Sequence, residues 1–456
     1  MKPLAKSLTK PRAVLAASLV AVLAAGACSG AGGGGGDGDG ETLTIATVAN
    51  PQMQDIEQLS TVFEEETGID VQFVVLPENE LRDKVTQDIA TGSGQYDIVT
   101  IGTYETPIWA ANGWLTELDD YASDPEYDVD DLLAPVREAL TYEDGLYAVP
   151  FYGESSFLMY RTDLFEAAGL EMPENPTWDE VAGLAAELHD PDNDVAGICL
   201  RGLAGWGENL APLNTVIHTF GGRWYDEEWN AQLTSPETAE AVQFYVDLLR
   251  EYGQPGAANA GFSECLTATS QGNAAMWLDA TVGASVLEDP NSSDAAGKMG
   301  YVPAPVVETE HSGWLWAWSL AIPQTSQHQD AAWEFMSWAT GKEYMHLVGE
   351  ELGWTRVPPG SRASTYEIPQ YQEAAGAFAP QTLEAIENVD VHRPGLYEQH
   401  WAGVQYITIP EFQDLGTRVA QEISAAIAGN QTVDEALEKA QGYAEEVALE
   451  GGYRDQ

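Results

Sequence analysis

The sequence predicts an α/β protein of two lobes, on three observations. Strand-like and helix-like stretches alternate from residue 43 to residue 102, the pattern of a parallel sheet with helices on its faces. The chain has 456 residues, enough for two lobes with a core each. Far along the chain, Gly313-Trp314-Leu315-Trp316-Ala317-Trp318-Ser319-Leu320-Ala321-Ile322-Pro323 has the period-two alternation of a strand, with Leu320 and Ile322 continuing the indole parity into core.

Leu43 to Val48 reads as the first strand. Met53, Ile56, Leu59, Val62 and Phe63 recur at helical spacing until Gly68. Ile69 to Val75 is a second strand, Leu81, Val85 and Ile89 mark a second helix ending near Gly92, and Tyr96 to Gly102 is a third strand. In such sheets ligands meet the loops at the carboxyl ends of strands, here starting at Asn50 and at Thr103-Tyr104-Glu105. The acids from Glu117 to Asp131 lack Ca²⁺-loop spacing and read as a solvated surface. Gly145 to Glu154 is a strand entering a crossing marked by Pro150. Thr177-Trp178-Asp179-Glu180 and Thr432-Val433-Asp434-Glu435 are capping boxes that open helices, and Ser235-Pro236 is a cap followed by proline at the first helical position. A short strand at Ile198–Leu200 leads into a Gly-rich loop from Arg201 to Asn209, and Trp277-Leu278-Asp279 is a strand end. Pro150, the pair Pro303 and Pro305, and the pair Pro358 and Pro359 punctuate the chain at long intervals; alone they read as turn prolines.

Composition is that of a globular protein enriched in indole: 44% hydrophobic and 10% aromatic, with 14 Trp. Net charge is −54, from 19 basic and 73 acidic residues. That balance excludes a basic footprint for nucleic acid and electrostatic docking on anionic lipid. Acids spread along the whole chain read as a solubilising surface.

The first residues read as an export signal. Lys2, Lys6, Lys10 and Arg12 precede an apolar run from Ala13 to Ala25, too short to span a bilayer. The run ends in Leu23-Ala24-Ala25-Gly26-Ala27-Cys28, which resembles a lipobox, although its leucine lies farther from the cysteine than in the usual pattern. We therefore expect residues 1–27 to be a signal peptide, Cys28 to carry lipid, and the glycines of residues 28–40 to form a flexible tether. A plain secretory signal is the alternative. Cys199 and Cys265 then remain as the candidate disulfide of an exported protein.

Several of these pieces together resemble the extracellular solute-binding proteins of ABC importers, in the family that includes maltose-binding protein. They are the lipobox-like Cys28 with its tether, Gln95-Tyr96-Asp97-Ile98-Val99, Tyr147-Ala148-Val149-Pro150-Phe151, Gly272-Asn273-Ala274-Ala275-Met276, and the tail from Gln431 to Gln441. The similarity runs from about residue 41 to about residue 445. Leu200-Arg201-Gly202, Trp277 to Thr281, Trp316-Ala317-Trp318 and Val357 to Arg362 are most similar to the sugar-alcohol branch, which takes mannitol and sorbitol. The resemblance implies a two-lobed, type II periplasmic-binding-protein-like fold with a ligand cleft between lobes and three hinge crossings. Lobe 1 would take residues 41–149 and 306–356, and lobe 2 residues 150–305 and 357–456. It also implies a monomer, no enzymatic activity, no cofactor or metal, a polyol or sugar as ligand, membrane permease subunits as partners, and a place at the outer face of the bacterial cell membrane.

A linear polyol offers a hydroxyl on every carbon, and each must find a partner once enclosed. Charged donors and acceptors beside aromatic rings at strand ends and Gly-rich loops are therefore the candidates. They are Asn50, Tyr104 and Glu105 on first-lobe loops, and Tyr152 and Glu154 at the first crossing. Arg201, Trp206 and Glu208 lie on the Gly-rich loop, Trp277 and Asp279 at a strand end, Trp316 and Trp318 in the indole row, and Arg356 near the last crossing. For the indoles the alternative is core packing, and for each charged residue it is an ion pair. Asp279→Ala is expected to lose ligand and keep its fold.

Three rival functions stand beside this one. A secreted carbohydrate hydrolase would need a defined carboxylate pair, which 73 acids supply by chance; no Gly-x-Ser-x-Gly elbow and no His-Glu-x-x-His occurs. Asp190, Asp192 and Asp194 start like a Ca²⁺ loop, but Val195 replaces the turn glycine and Arg201 the final glutamate. The others are the same receptor fold binding a cation such as a polyamine, and a protein-docking scaffold.

Overall fold

The computed structural model describes residues 41–454. The expected signal peptide, the lipid site at Cys28 and the Gly-rich tether lie outside the described residues. The strands of the two main sheets are β1 (Thr42–Val48), β2 (Asp70–Leu76), β3 (Ile98–Ile101), β4 (Val149–Glu154), β5 (Ser156–Arg161), β6 (Met276–Ala280), β7 (Met299–Pro303) and β8 (Trp316–Ala321). The helices that bear on the site are α1 (Pro51–Thr67), α2 (Glu78–Thr91), α3 (Leu210–Thr219), α4 (Pro236–Tyr252), α5 (Phe262–Ser270), α6 (Gly283–Leu287), α7 (Ala379–Glu387), α8 (Phe412–Ile427) and α9 (Val433–Glu450).

The first sheet has the order β2-β1-β3-β8-β4. Its β1, β2 and β3 are parallel, with Thr42 opposite Asp70 and Ile45 opposite Ile98, and α1 and α2 make the crossovers. The sequence pattern of this half is therefore what the structure contains. The other half is antiparallel: β8 pairs with β3 through Ser319 and Ile101, and with β4 through Trp316 and Glu154. No local signal announces that reversal, because β8 arrives from beyond residue 300. A bulge between Trp318 and Ser319 interrupts strict alternation there. The second sheet is antiparallel, in the order β6-β5-β7, with Leu158 facing Leu278 on one side and Val302 on the other.

Both sheets are buried except along the edge strand β2, whose residues are half-buried or exposed, as the near-continuous apolar strands of their interiors require. The molecule is two-lobed, and the chain passes between the sheets more than once. It goes from β4 to β5 through Ser155 alone, and returns from β7 to β8 through residues 304–315. A later passage carries it past Pro359, whose carbonyl accepts from the Gly153 N–H at 2.9 Å, to α7, which packs on β5 and β7. Pro303 and Pro305 and the pair Pro358 and Pro359 stand at these passages, whereas Pro150 lies inside β4, opposite Ser319.

The capping boxes at Thr177 and Thr432 form as read, each with reciprocal hydrogen bonds to the glutamate three residues on. Helix α8 buries Phe412, Leu415, Val419, Ile423 and Ile427 at helical spacing and packs with α9 against α4, so the C-terminal helices complete the second lobe. Cys199 and Cys265 are joined in a disulfide. The acidic segment before residue 132 is not solvated throughout. Asp131 and the carbonyls of Tyr127 and Asp128 hold the fully buried Arg362, a role only tertiary contact reveals.

Candidate ligand-binding cleft

Between the lobes lies a narrow cleft lined from both sides. Asn50, Glu78, Arg82, Trp316 and Trp318 line it from the first sheet and its helices. Arg201, Gly207, Ala211, Phe262, Ala280 and Val282 line it from the second lobe, with Gln405 and Tyr406, and Glu154 and Trp314 stand at the crossings. Asn50 follows β1, and Glu78 and Arg82 open α2 just after β2, so the first-lobe contribution sits at carboxyl ends of parallel strands. The indoles need room in the backbone. A Cβ on Gly102, which follows β3, would stand 1.9 Å from the Trp316 ring. The Gly-rich loop has a parallel reason: a Cβ on Gly207 would stand 1.9 Å from Glu78 Oε1, so glycine lets this second-lobe loop close on α2.

Two guanidiniums organise the polar wall. Arg201 Nε donates to Asp279 Oδ2 at 2.8 Å, its Nη2 donates to Oδ1, and its Nη1 donates to the Gly207 carbonyl at 3.0 Å. Asp279 Oδ2 also accepts from the Trp277 indole N–H at 3.0 Å, and Oδ1 from the Ala280 N–H at 2.7 Å. Glu208 stands 3.6 Å from Arg201 Nη1 and accepts from the Phe262 N–H at 3.3 Å. Burial, then the charge of Glu78, pushes the Glu208 carboxyl up to about 8 against the pull of Arg201. On the facing lobe Arg82 donates to Glu78 at 2.9 and 3.1 Å and to Glu105, whose other oxygen accepts from the Gly102 N–H at 3.0 Å. The Arg82 guanidinium lies 3.8 Å from the centre of the Trp206 ring, and 5.0 and 4.9 Å from Trp316 and Trp318. A first-lobe cation is thus capped by a second-lobe indole.

The candidates read from sequence fall into three places. Asn50, Glu154, Arg201, Trp316 and Trp318 line the cavity. Tyr104, Glu105, Tyr152, Trp206, Glu208, Trp277 and Asp279 stand behind the lining and hold it. Tyr152 OH accepts from Asn50 Nδ2 at 2.8 Å, and the Tyr104 ring packs tilted against Trp206, centroids 4.8 Å apart, while its hydroxyl donates to the Ile409 carbonyl across the lobes. Asp279 is fully buried against Arg201 rather than facing the cavity. Arg356 is elsewhere, donating to Asp55 of α1 at 3.0 Å and to Asp289, just beyond α6, at 3.5 Å. The indoles are at once core and cleft: Trp314, Trp316 and Trp318 are 1%, 3% and 3% exposed because the lobes are closed over them.

Glu78, Arg82, Trp314, Phe262, Gln405 and Tyr406 line the cavity and were not among the candidates. The strand-end rule applied to β2 would have found Glu78 and Arg82. Gln405 and Tyr406 lie in an irregular stretch before α8 that carries no periodic signal.

This architecture, two α/β lobes closed over a cavity walled by indoles and charged hydrogen-bonding groups, defines a solute-binding receptor. The chain belongs to the family described as bacterial extracellular solute-binding protein, whose sequence pattern matches residues 45–346. It is 46% identical over 402 residues to a mannitol-binding protein of Pseudomonas aeruginosa, covering 88% of this chain and 91% of that one. Among solved structures it resembles an ABC transporter solute-binding protein of Agrobacterium vitis with bound D-mannitol, at TM-score 0.89 and 50% identity, covering 90% of this chain and 99% of that one. It also resembles one from Agrobacterium radiobacter in complex with ribitol, at TM-score 0.79 and 27% identity, with 90% and 99% covered. Among the described residues no helix is long and apolar enough to cross a membrane.

Proposed function

We propose that this chain is the capture subunit of an ABC importer for a linear polyol, with a hexitol of the mannitol class as its first ligand. The observation that carries the reading is the lining of the cleft. Apolar ring faces of Trp314, Trp316, Trp318 and Phe262 meet guanidinium, carboxylate and amide groups of both lobes. An extended polyol has C–H faces for the rings and hydroxyl edges for the charged groups. The relatives that bind D-mannitol and ribitol support the same class.

Capture works by population shift. A ligand that touches Arg82 and Asn50 on one side and Arg201 and Gln405 on the other gains all its contacts only in the closed form. The permease then receives the closed, loaded protein, and no chemistry is needed. The protein acts as a monomer, held at the outer face of the membrane by lipid on Cys28, with residues 28–40 as its tether.

A thermal-shift and calorimetric panel of mannitol, sorbitol, arabitol, ribitol, maltose and spermidine tests the ligand class. A saturable rise in melting temperature with a hexitol, and no product formed, is the expected result. A response to spermidine alone, or turnover of glycosides, would replace the reading. Cys28→Ala should move the protein from the membrane fraction to the medium; retention on the membrane would remove the lipid anchor.

A further inference from the structure

The closed cleft contains more carboxylates than its guanidiniums neutralise. Helix α2 presents Glu78 and Arg82, the first turn of the short helix Glu105–Ala111 after β3 presents Glu105, the Gly-rich loop presents Arg201 and Glu208, and β6 presents Asp279. Tyr152 on β4, Tyr245 on α4, Tyr104 and Tyr406 are further titratable groups around them. Arg82 is committed to Glu78 and Glu105, and Arg201 to Asp279 with Glu208 alongside. Glu154, at the end of β4, is left over. It is 5% exposed, lines the cavity, and pairs with no cation among the described residues. The Trp314 indole N–H stands close to it without hydrogen-bond geometry. A buried, unpaired carboxylate costs several kcal/mol, on the order of the desolvation penalty of an ion, and a neutral polyol brings no charge to offset it.

We propose that Glu154 holds the captured polyol as a neutral carboxylic acid: closure moves one proton from solvent onto its carboxylate, and the new O–H donates to a ligand hydroxyl. In the open cleft water solvates the ionised group. Closing strips that water, and protonation turns an acceptor-only anion into a group that both donates and accepts, matching a hydroxyl partner. Burial is the largest influence on this carboxyl and raises it well above the usual range; Arg201 opposes this, while Asp279 and Glu78 add to it. The inference rests on the polyol reading above.

The test is calorimetric titration of the full protein with D-mannitol at pH 7.5, in phosphate and in Tris, whose ionisation enthalpies differ. About one proton taken up per ligand is expected, with affinity falling by up to about tenfold per pH unit on the alkaline side. An infrared difference spectrum on adding mannitol should gain a protonated-carboxyl band. In Glu154→Gln, which keeps a donor and an acceptor, the band and the proton uptake disappear and the pH profile flattens. Glu208→Gln keeps the uptake; if the uptake vanishes in that variant and persists in Glu154→Gln, the proton sits on Glu208 and the proposal is wrong. Mannitol binding in wild type with equal enthalpies in both buffers and a flat profile overturns the proposal while the polyol reading stands. No binding of any polyol at any pH overturns both.

Discussion

Asp279→Asn separates what holds the cleft from what touches the ligand. Asp279 is fully buried and takes four donors: Arg201 Nε and Nη2, the Trp277 indole N–H and the Ala280 N–H. The amide keeps the volume but removes the charge, and its NH2 group must face a donor. Breaking one partner of a buried ion pair costs about 3–5 kcal/mol, because the remaining charge stays uncompensated. Glu208, 3.6 Å from Arg201 Nη1, can take up part of that charge, which places the loss near the lower end. A folded domain has about 5–15 kcal/mol in hand, so the variant folds but is clearly weakened. Urea denaturation followed by far-UV circular dichroism should show the midpoint shift with an unchanged slope. Polyol affinity should fall at least about tenfold, since a guanidinium without its fork partner no longer holds its aim, a loss of about 1.4 kcal/mol. The expectation from sequence, that Asp279→Ala loses ligand and keeps its fold, is thereby extended: the fold is kept but weakened as binding falls. The double variant Arg201→Met with Asp279→Leu should recover most of the stability and none of the binding, because an apolar pair removes both buried charges. A stability loss under about 1 kcal/mol in Asp279→Asn, or full affinity in the double variant, would refute the assignment of Asp279 as the residue that positions Arg201.

Arg356→Ala removes the link between Asp55 and Asp289; Arg356 is part-exposed but both aspartates are buried, so about 1 kcal/mol or more, at least about fivefold in polyol Kd, is expected without loss of hydrogen bonds to ligand, and unchanged affinity would exclude a role in closure. Reduction of Cys199–Cys265, which closes a separation of 66 residues, should cost about 4 kcal/mol on the chain-entropy argument, read as a lower melting temperature in reductant. His218 Nε2 donates to the Val404 carbonyl at 3.0 Å, and burial lowers the imidazole from 6.5 to about 4. The folded state therefore binds fewer protons than the unfolded one between pH 6.5 and 4, and stability falls as pH drops through that window, by about 3 kcal/mol in full. His218→Gln should lose that acid-side slope in denaturation curves taken from pH 7 to pH 4.

The parallel half of the first sheet was legible because each strand and its crossover helix are adjacent in sequence and carry their own periodicity. β8 was legible as a strand from its alternating indoles, but not its antiparallel insertion between β3 and β4, which depends on pairing over more than 150 residues. The cleft was legible in residue types and not in layers. Arg201 beside an indole-rich loop and a strand-end aspartate pointed to one place, and the structure brings them together there. Which of them faces the ligand and which stands behind is decided by side-chain direction at closed lobes. That is why Glu154 lines the cavity and Asp279 does not. Arg356 looked like a ligand group because it precedes the last crossing; its partners, Asp55 and Asp289, both lie far upstream of it in sequence and have no signal of their own.

Contacts across the cleft are of two kinds, and their balance sets selectivity. Gln52 to Ser285 at 2.9 Å, Asn79 to the Ala204 carbonyl at 3.2 Å, Thr86 to Gln413 at 3.2 Å and the Arg356 link join the lobes without any ligand. Arg82 adds a direct contact through Trp206, and the other polar cavity groups join the lobes through what they enclose. Moving a receptor from mostly open to mostly closed takes about 5.5 kcal/mol of differential binding for a swing from 1:99 to 99:1. Single hydrogen bonds contribute about 0.5–1.5 kcal/mol net, and those to charged groups about 1.5–3. No one hydroxyl suffices, so closure must sum several along the ligand, reaching Arg82 on one lobe and Arg201 on the other. Affinity should then fall stepwise from hexitol to pentitol to tetritol as contacts to one lobe are lost. The contacts that need no ligand are correspondingly modest, since a stronger clasp would close the cleft on nothing and remove the length discrimination.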